Sequence, residues 1–174
     1  MRVDEPDLLE QLASDLDLEL VKLEMLAEQV QQLQHNLSKA PIYADSFYES
    51  LALKFHNFYT GCERIFNLIS TELNGGLPKS GDWHRRLLSR MVADREDRKA
   101  VIRTETERYL NEFLRFRHVV RDIYGFELNV EKLNQLLTKY PLAWQLFDTD
   151  IKAFANWLRE LASCLEENSG NHLG

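Results

Sequence analysis

Residues 6–37 read PDLLEQLASDLDLELVKLEMLAEQVQQLQHNL, and this stretch decides the fold class. Its leucines and Val30 recur every three or four residues, a spacing that places them on one face of an amphipathic helix. The pattern therefore predicts one long helix from about Pro6 to Leu37. Such a helix is typical of a coiled coil or of one arm of a helical bundle, and the helical stretches that follow favour the bundle.

The rest of the chain continues with helical periodicity and shows no useful strand alternation. The clearest loop is Asn74–Gly81, and Asp82 and Asn129 are placed to cap the helices that follow them. Gly125 is placed to end a helix, and Pro141 to restart or kink one. The predicted helices are Ile42–Leu73, a short helix from Trp83, a long one from about Asp97 to Tyr124, Val130 to about Tyr140, and Pro141 to about Glu166. The sequence thus predicts an all-α, up-and-down bundle of five or six helices.

The composition fits one domain over residues 1–167 with a flexible tail at 168–174. Glycine (7) and proline (4) are scarce, which disfavours a β-sandwich, and 44% hydrophobic residues suffice for a core. No secretory signal and no run of about 18 apolar residues is present, so we expect a cytoplasmic protein without a membrane contact. We interpret the two distant cysteines, Cys62 and Cys164, as buried small hydrophobes. Without a glycine-rich phosphate loop or metal-ligand spacing, we expect neither cofactor nor metal.

Charge is distributed unevenly along the chain. Residues 83–121 hold eleven arginines and lysines against six acids, whereas the whole chain has a net charge of −7, so the remainder carries −12. A basic segment in an acidic protein suits a phosphate backbone or an acidic partner. The alternative is a solvated helix face with ion pairs within the helix.

The residues that could take part in catalysis or binding are concentrated near the end of the long helix. Leu110, Phe113, Arg117, Val120 and Tyr124 are spaced three and four residues apart and share one stripe. An arginine on an apolar stripe needs a carboxylate partner, an exposed edge or an interface cleft, because an unpaired buried charge is costly.

A polar patch is expected beside this stripe. Arg117, His118, Arg121, Asp122 and Tyr124 are close enough in helical position to form it. The patch serves either catalysis or helix packing through an ion-pair and stacking cluster. The spacing alone leaves both open.

The arrangement Arg117-His118-x-x-x-Asp122-x-Tyr124 resembles the motif of the HEPN ribonucleases, and in particular their HepT-like branch. In that family a polar residue follows the arginine, a histidine comes four to six residues after the arginine, and the HepT branch adds a tyrosine two residues later. The resemblance runs from about Tyr43 to Phe154. Its other matching segments are Phe58–Phe66, Trp83–Leu88 and Phe116–Leu128.

The resemblance implies a HEPN-like helical bundle that acts as a homodimer with two active sites at the dimer cleft, and the long first helix is a candidate for dimerisation. It implies metal-independent cleavage of RNA, such as tRNA, with Arg117 at the scissile phosphate and His118 or Asp122 assisting. Arg121, His84 and Arg85 are the candidate RNA-binding or supporting residues. It also implies a nucleotidyltransferase antitoxin as partner, which modifies Tyr124 with AMP.

One position departs from the family pattern, because Asp122 stands where the motif histidine is expected. An ordinary aspartate has a pKa far below 7, so it is a poor base and a poor acid at neutral pH. Three alternatives follow: the pKa of Asp122 is raised, His118 or His84 takes the role, or the site is inactive. An inactive chain would be a HEPN-like binding module for a nucleotidyltransferase or for RNA, and a scaffold unrelated to HEPN proteins is the remaining reading.

Overall fold

The computed structural model describes residues 5–73, 75–77, 81–95, 98–121 and 128–170, with the side chains of 118–121 and 169–170 excepted. Five α-helices account for most of these residues. They are α1 (Pro6–Lys39), α2 (Ala44–Leu73), α3 (Trp83–Val92), α4 (Thr104–Arg121) and α5 (Val130–Gly170), with a 3-10 turn at Pro41–Tyr43. No strand occurs in the described ranges, where β-type pairing is limited to a single bridge between Arg95 and Arg98. The predicted all-α helical bundle is confirmed.

α1 is the long amphipathic helix that the leucine spacing predicts. The residues that it buries are Leu9, Leu12, Ala13, Leu16, Leu20, Leu23 and Val30. Its buried face packs against α5 and α2. Close packing against α2 depends on Gly61, since a Cβ atom there would lie 2.5 Å from Cδ2 of Leu23.

An aromatic cluster joins α2, α4 and α5 in the core. The ring of Phe58 lies 5.1 Å from that of Phe113 and 5.0 Å from that of Tyr140, both edge to face. Phe55 extends the cluster, with its ring 5.6 Å from Phe113. Edge-to-face pairs add to the stabilisation from burial alone, so this cluster fixes how the three helices pack together.

The structure corrects the expected break at Pro141, because α5 runs through it as one helix. Proline lacks an N–H group and crowds the preceding turn, which is why a restart was expected. Tyr140, Ala143 and Phe147 on either side of it are nevertheless buried in the same core. The burial of these side chains along one face of α5 outweighs the free-energy cost of a proline inside the helix. The helix also continues past the expected end at Glu166 to Gly170, and residues 171–174 lie outside the described part.

α4 begins at Thr104 rather than near Asp97, because residues 98–103 have other partners. Val101 and Ile102 are buried, and both donate their backbone N–H to the carbonyl of Met91. The carboxylate of Asp150 accepts hydrogen bonds from the backbone N–H of Arg103 at 2.9 Å and from the Thr106 hydroxyl at 2.5 Å. A side chain of α5 therefore caps the start of α4.

Three smaller expectations can be compared with the structure. Asn129 caps α5 as predicted, with its side chain accepting the Lys132 N–H at 2.9 Å. Asp82 precedes α3 but makes no side-chain capping bond. Cys62 is buried as expected, whereas Cys164 is exposed, because it lies on the outer face of α5. The expected helix end at Gly125 falls outside the described residues.

We expect Asp150→Ala to lower the free energy of unfolding by about 3 kcal/mol, because it leaves the buried Thr106 hydroxyl and the partly buried N–H of Arg103 without their acceptor. The matched control is Asp148→Ala, which removes a more exposed pair with Lys152 and should cost less than about 1 kcal/mol. Urea denaturation monitored by circular dichroism measures both. Equal losses for the two variants would contradict the capping role of Asp150.

Candidate functional site

Arg117 lies on the apolar face of α4, as its spacing predicts. Leu110 and Phe113 on the same stripe are fully buried, and the Arg117 side chain is 13% exposed. A guanidinium group is always charged at physiological pH, so at this depth it requires a counter-ion. The helix thus directs a cation into the space between α2, α3 and α4.

Glu63 on α2 is that counter-ion. Its Oε2 lies 3.2 Å from Nη2 of Arg117, and its Oε1 lies 3.5 Å from Nη1. The carboxylate is itself only 6% exposed. Two contacts between a planar guanidinium and a planar carboxylate fix the mutual orientation of both groups as well as their separation.

His84 on the first turn of α3 completes the cluster. Its Nδ1 is in hydrogen-bond contact with Oε1 of Glu63 and lies 3.1 Å from Nη1 of Arg117. We assign the ring hydrogen to Nδ1, because the carboxylate can only accept a hydrogen bond. The carboxylate of Glu63 therefore fixes the orientation of the His84 ring beside Arg117. The indole of Trp83 stacks against the imidazole, with 3.6 Å between ring centroids.

Two further side chains of α2 approach the cluster. His56, Tyr59 and Glu63 are spaced three and four residues apart and so share one face of the helix. The ring of Tyr59 lies 6.0 Å from Cζ of Arg117 and is 1% exposed. Burial, followed by the negative charge of Glu63, raises the pKa of Tyr59, so its phenol stays protonated at neutral pH.

His56 is a second imidazole within the electrostatic reach of the cluster. Partial burial, followed by the positive charge of Arg117, lowers its pKa, while Glu63 opposes the shift. Its Nδ1 is buried, and no hydrogen-bond partner for it occurs among the residues that the structure describes. His56 is therefore a neutral imidazole at pH 7, the form that accepts a proton.

The structure brings together only some of the candidate residues named from the sequence. Arg117 and His84 are in contact, and Arg85 is exposed on α3. His118 and Arg121 belong to α4, but their side chains are not among those described. Asp122 and Tyr124 lie outside the described residues.

Sequence reasoning missed Glu63, His56 and Tyr59. A signal for Glu63 was present, since it is a lone carboxylate among the apolar positions of α2, as Arg117 is a lone cation among those of α4. Opposite charges on two apolar stripes that pack together are expected to pair. His56 gave no such signal, because a histidine of α2 is close to Arg117 only once α2 and α4 are packed.

A family model described as a HepT-like protein matches residues 50–158, well over half of the chain. The chain belongs to the HepT-like family. The matched range contains the whole described cluster, including Glu63, His84 and Arg117. No curated protein and no solved structure matches the chain.

Two other properties of this HepT-like chain bear on the site. Within the described residues, no helix combines the length and the apolar character that a membrane crossing requires. The same part of the chain contains no group of three or more histidines, cysteines or carboxylates arranged to hold a metal ion.

We expect Glu63→Gln to lower the free energy of unfolding by about 3 kcal/mol, because it leaves the Arg117 guanidinium without a counter-charge. Arg117→Met in the same background should recover part of this loss. Urea denaturation of the two single variants and of the double variant gives a coupling energy, which we expect to exceed about 1 kcal/mol. Simple additivity of the two single effects would show that the pair contributes nothing.

The shifted His56 gives a pH dependence with a defined sign. Its pKa in the folded state lies below the ordinary value of 6.5, so between these two values the unfolded chain binds more protons than the folded one. Stability must therefore fall as the pH drops through this window, because protons favour the unfolded chain there. The variant His56→Gln lacks this part of the pH dependence, because glutamine does not titrate.

Thermal denaturation between pH 7.5 and 5 measures this effect. We expect the Tm of the wild type to decrease more steeply than that of His56→Gln, since all other titrating groups are shared. His35→Gln, on the exposed surface of α1, is the matched control and should follow the wild type. Parallel curves for wild type and His56→Gln would contradict the lowered pKa.

Proposed function

We propose that this HepT-like chain is a metal-independent endoribonuclease of the HEPN type, and that it is the toxin of a toxin–antitoxin pair. The observation that carries the proposal is the cluster of Glu63, His84 and Arg117, in which a carboxylate orients an imidazole beside an arginine. Each of the three comes from a different helix. This is an acid–base group next to a phosphate-binding group, held in a rigid frame.

The cluster suits internal transesterification of RNA. An imidazole removes the proton of a ribose 2′-hydroxyl, and the 2′-oxygen attacks the adjacent phosphorus. The bond from phosphorus to the 5′-oxygen breaks, the imidazolium formed in the first step returns its proton to the 5′-oxygen, and the products carry a 2′,3′-cyclic phosphate and a 5′-hydroxyl. Arg117 stabilises the additional charge on the phosphorane, a task that suits a permanent cation with forked donors. We assign the proton transfer to His84, with His56 as the second imidazole in reach.

Proton transfer by His84 would explain how the chain can cleave RNA although Asp122 stands in place of the motif histidine. The family pattern places its histidine at that position, and an ordinary aspartate is a poor acid–base group at neutral pH. His84 supplies an imidazole from another helix, and Glu63 holds it against Arg117. His118 and Asp122 remain supporting candidates in the proposal, with Arg121 and Arg85 on the RNA.

The proposal includes the assembly that the family resemblance implies. Two copies would place their Arg117 sites at a shared cleft, in the cytoplasm, with tRNA as a candidate substrate. The outer face of α1 supports a homodimer, because Leu18, Val21 and Met25 are spaced three and four residues apart and are each more than half exposed. A nucleotidyltransferase antitoxin would neutralise the toxin by adding AMP to Tyr124, since added adenylate would repel RNA phosphates.

One observation favours a second function, that of a HEPN-like binding module without catalysis. Glu63 already contacts both Nη atoms of Arg117, so an RNA phosphate must share the guanidinium with a carboxylate. The aspartate at position 122 adds a further negative charge in the motif. In this reading the chain binds a nucleotidyltransferase or uncut RNA.

The test is cleavage of total tRNA and of a single-stranded RNA in EDTA. We expect Arg117→Ala and His84→Ala each to lower the cleavage rate by about 100-fold or more, the usual contribution of such groups. His35→Ala, an exposed histidine far along α1, should cleave like the wild type. Circular dichroism of each variant checks that it is folded, and analysis of the product ends checks for the cyclic phosphate.

Two results would overturn parts of this proposal. If the wild type leaves both RNAs uncut over hours at micromolar protein, the chain is a binding module. If His84→Ala cuts as fast as His35→Ala, the imidazole comes from elsewhere, and His56 and His118 are the next substitutions.

A further inference from the structure

The outer face of α3 forms a basic groove of about 470 Å³, open to solvent. The inner face of the same helix buries His84, Leu87, Leu88 and Met91. The groove is lined by Asp82, Arg85, Arg86, Ser89, Arg90 and Arg95, together with Ala93. Four of its lining side chains are therefore arginines, and one is an acid.

The four arginines of the groove are not neutralised within the described part of the chain, where none of them forms an ion pair. Of the nearby acids that the structure describes, Asp82 lines the groove, while Asp94 and Glu107 keep their negative charge and accept hydrogen bonds from neutral donors. The carboxylate of Asp94 accepts the backbone N–H of Ala100 at 2.8 Å, and that of Glu107 accepts the Ser89 hydroxyl at 3.2 Å. The groove lining itself, with four arginines against one aspartate, therefore presents a formal charge of +3 to solvent in a protein whose net charge is −7.

Arg98 lies buried behind the end of α3 and holds the backbone of two groove residues, Arg90 and Ala93. It is 2% exposed, and its guanidinium donates hydrogen bonds to the backbone carbonyls of Arg90 at 2.9 Å, Ala93 at 3.3 Å and Lys99 at 3.0 Å. The carbonyl of Arg98 in turn accepts the N–H of Arg95 at 2.8 Å. These bonds tie the turn that carries Arg95 to the end of α3, so the arginines belong to one ordered surface.

The position of Arg85 and Arg86 conflicts with helix electrostatics. Both lie in the first turn of α3, where the helix dipole favours acids, and that turn contains no acidic residue. Asp82 at the N-cap is one acid against these two cations, so it offsets only part of the unfavourable charge at this helix end. A bound anion would remove the conflict.

We propose that this groove binds the phosphodiester backbone of single-stranded RNA. The inference rests on the proposed function, because it assigns the surface that holds the substrate of the Glu63–His84–Arg117 cluster. Arg85 and Arg86 of the groove lie on the same turn of α3 as His84, whose side chain is on the inner face of that helix. Forked arginine donors suit phosphate oxygens, and the acidic remainder of the protein confines RNA to this face.

The test is fluorescence anisotropy with a labelled single-stranded RNA of mixed sequence, in EDTA, over a range of salt concentrations. The groove variant carries Arg85→Gln, Arg86→Gln and Arg90→Gln. The matched variant loses the same charge elsewhere, through Lys22→Gln, Arg108→Gln and Lys152→Gln, all of which are well exposed. Both variants are made in the His84→Ala background, so that cleavage does not consume the probe.

We expect the groove variant to bind RNA at least 10-fold more weakly than the matched variant at about 0.1 M salt. The slope of log affinity against log salt should fall by about two, because each phosphate contact on a single strand contributes roughly 0.7. Equal affinity and equal slope for the two variants would overturn the proposal that the groove binds RNA. Absence of RNA binding by the His84→Ala parent would overturn it as well. Binding that depends on the arginines, in a protein that never cuts RNA, would support the groove and refute the nuclease.

Discussion

The arrangement of three helices around the candidate site depends on the buried ion pair between Glu63 and Arg117. Arg117 projects from an apolar stripe of α4, and a carboxylate from α2 supplies its counter-charge at that depth. The same carboxylate holds the imidazole of α3, so one side chain connects α2, α3 and α4. Loss of Glu63 would leave both a buried cation and an imidazole without their common partner.

Stability alone does not explain this cluster. Removing two charges from water is costly, and well-packed apolar residues in place of a buried ion pair are often at least as stable. The neighbouring aromatic cluster around Phe58 and Phe113 shows that this core can join its helices without charge. The pairing of an arginine, a glutamate and a histidine at the edge of such a core is therefore the ground on which a catalytic role is proposed for them.

The fold was predictable from the sequence where one period governs a long stretch. The leucine spacing of α1 gave its extent to within two residues, because an amphipathic face of that length has no competing structure. Prediction failed where contacts between distant residues determine the bounds of a helix. Pro141 stays inside α5 because of packing in the core. The start of α4 is set by Asp150, which caps it from 44 residues or more away. Arg117 was identified as unusual from its own stripe, but its partner is 54 residues distant, and helical spacing says nothing about such pairs.

Arg117 and the arginines of the groove differ in their surroundings. For this reason the proposals give Arg117 a role in catalysis and the groove arginines a role in RNA binding. Arg117 is neutralised and largely shielded from water, so added salt screens its interactions little. Arg85, Arg86 and Arg95 are exposed to solvent and form no ion pair among the described residues, so in the proposed groove their attraction for phosphate would fall steeply with salt. Raised salt should therefore weaken RNA capture while leaving the geometry of the cluster unchanged, and cleavage at saturating RNA should be far less sensitive to salt than cleavage at limiting RNA.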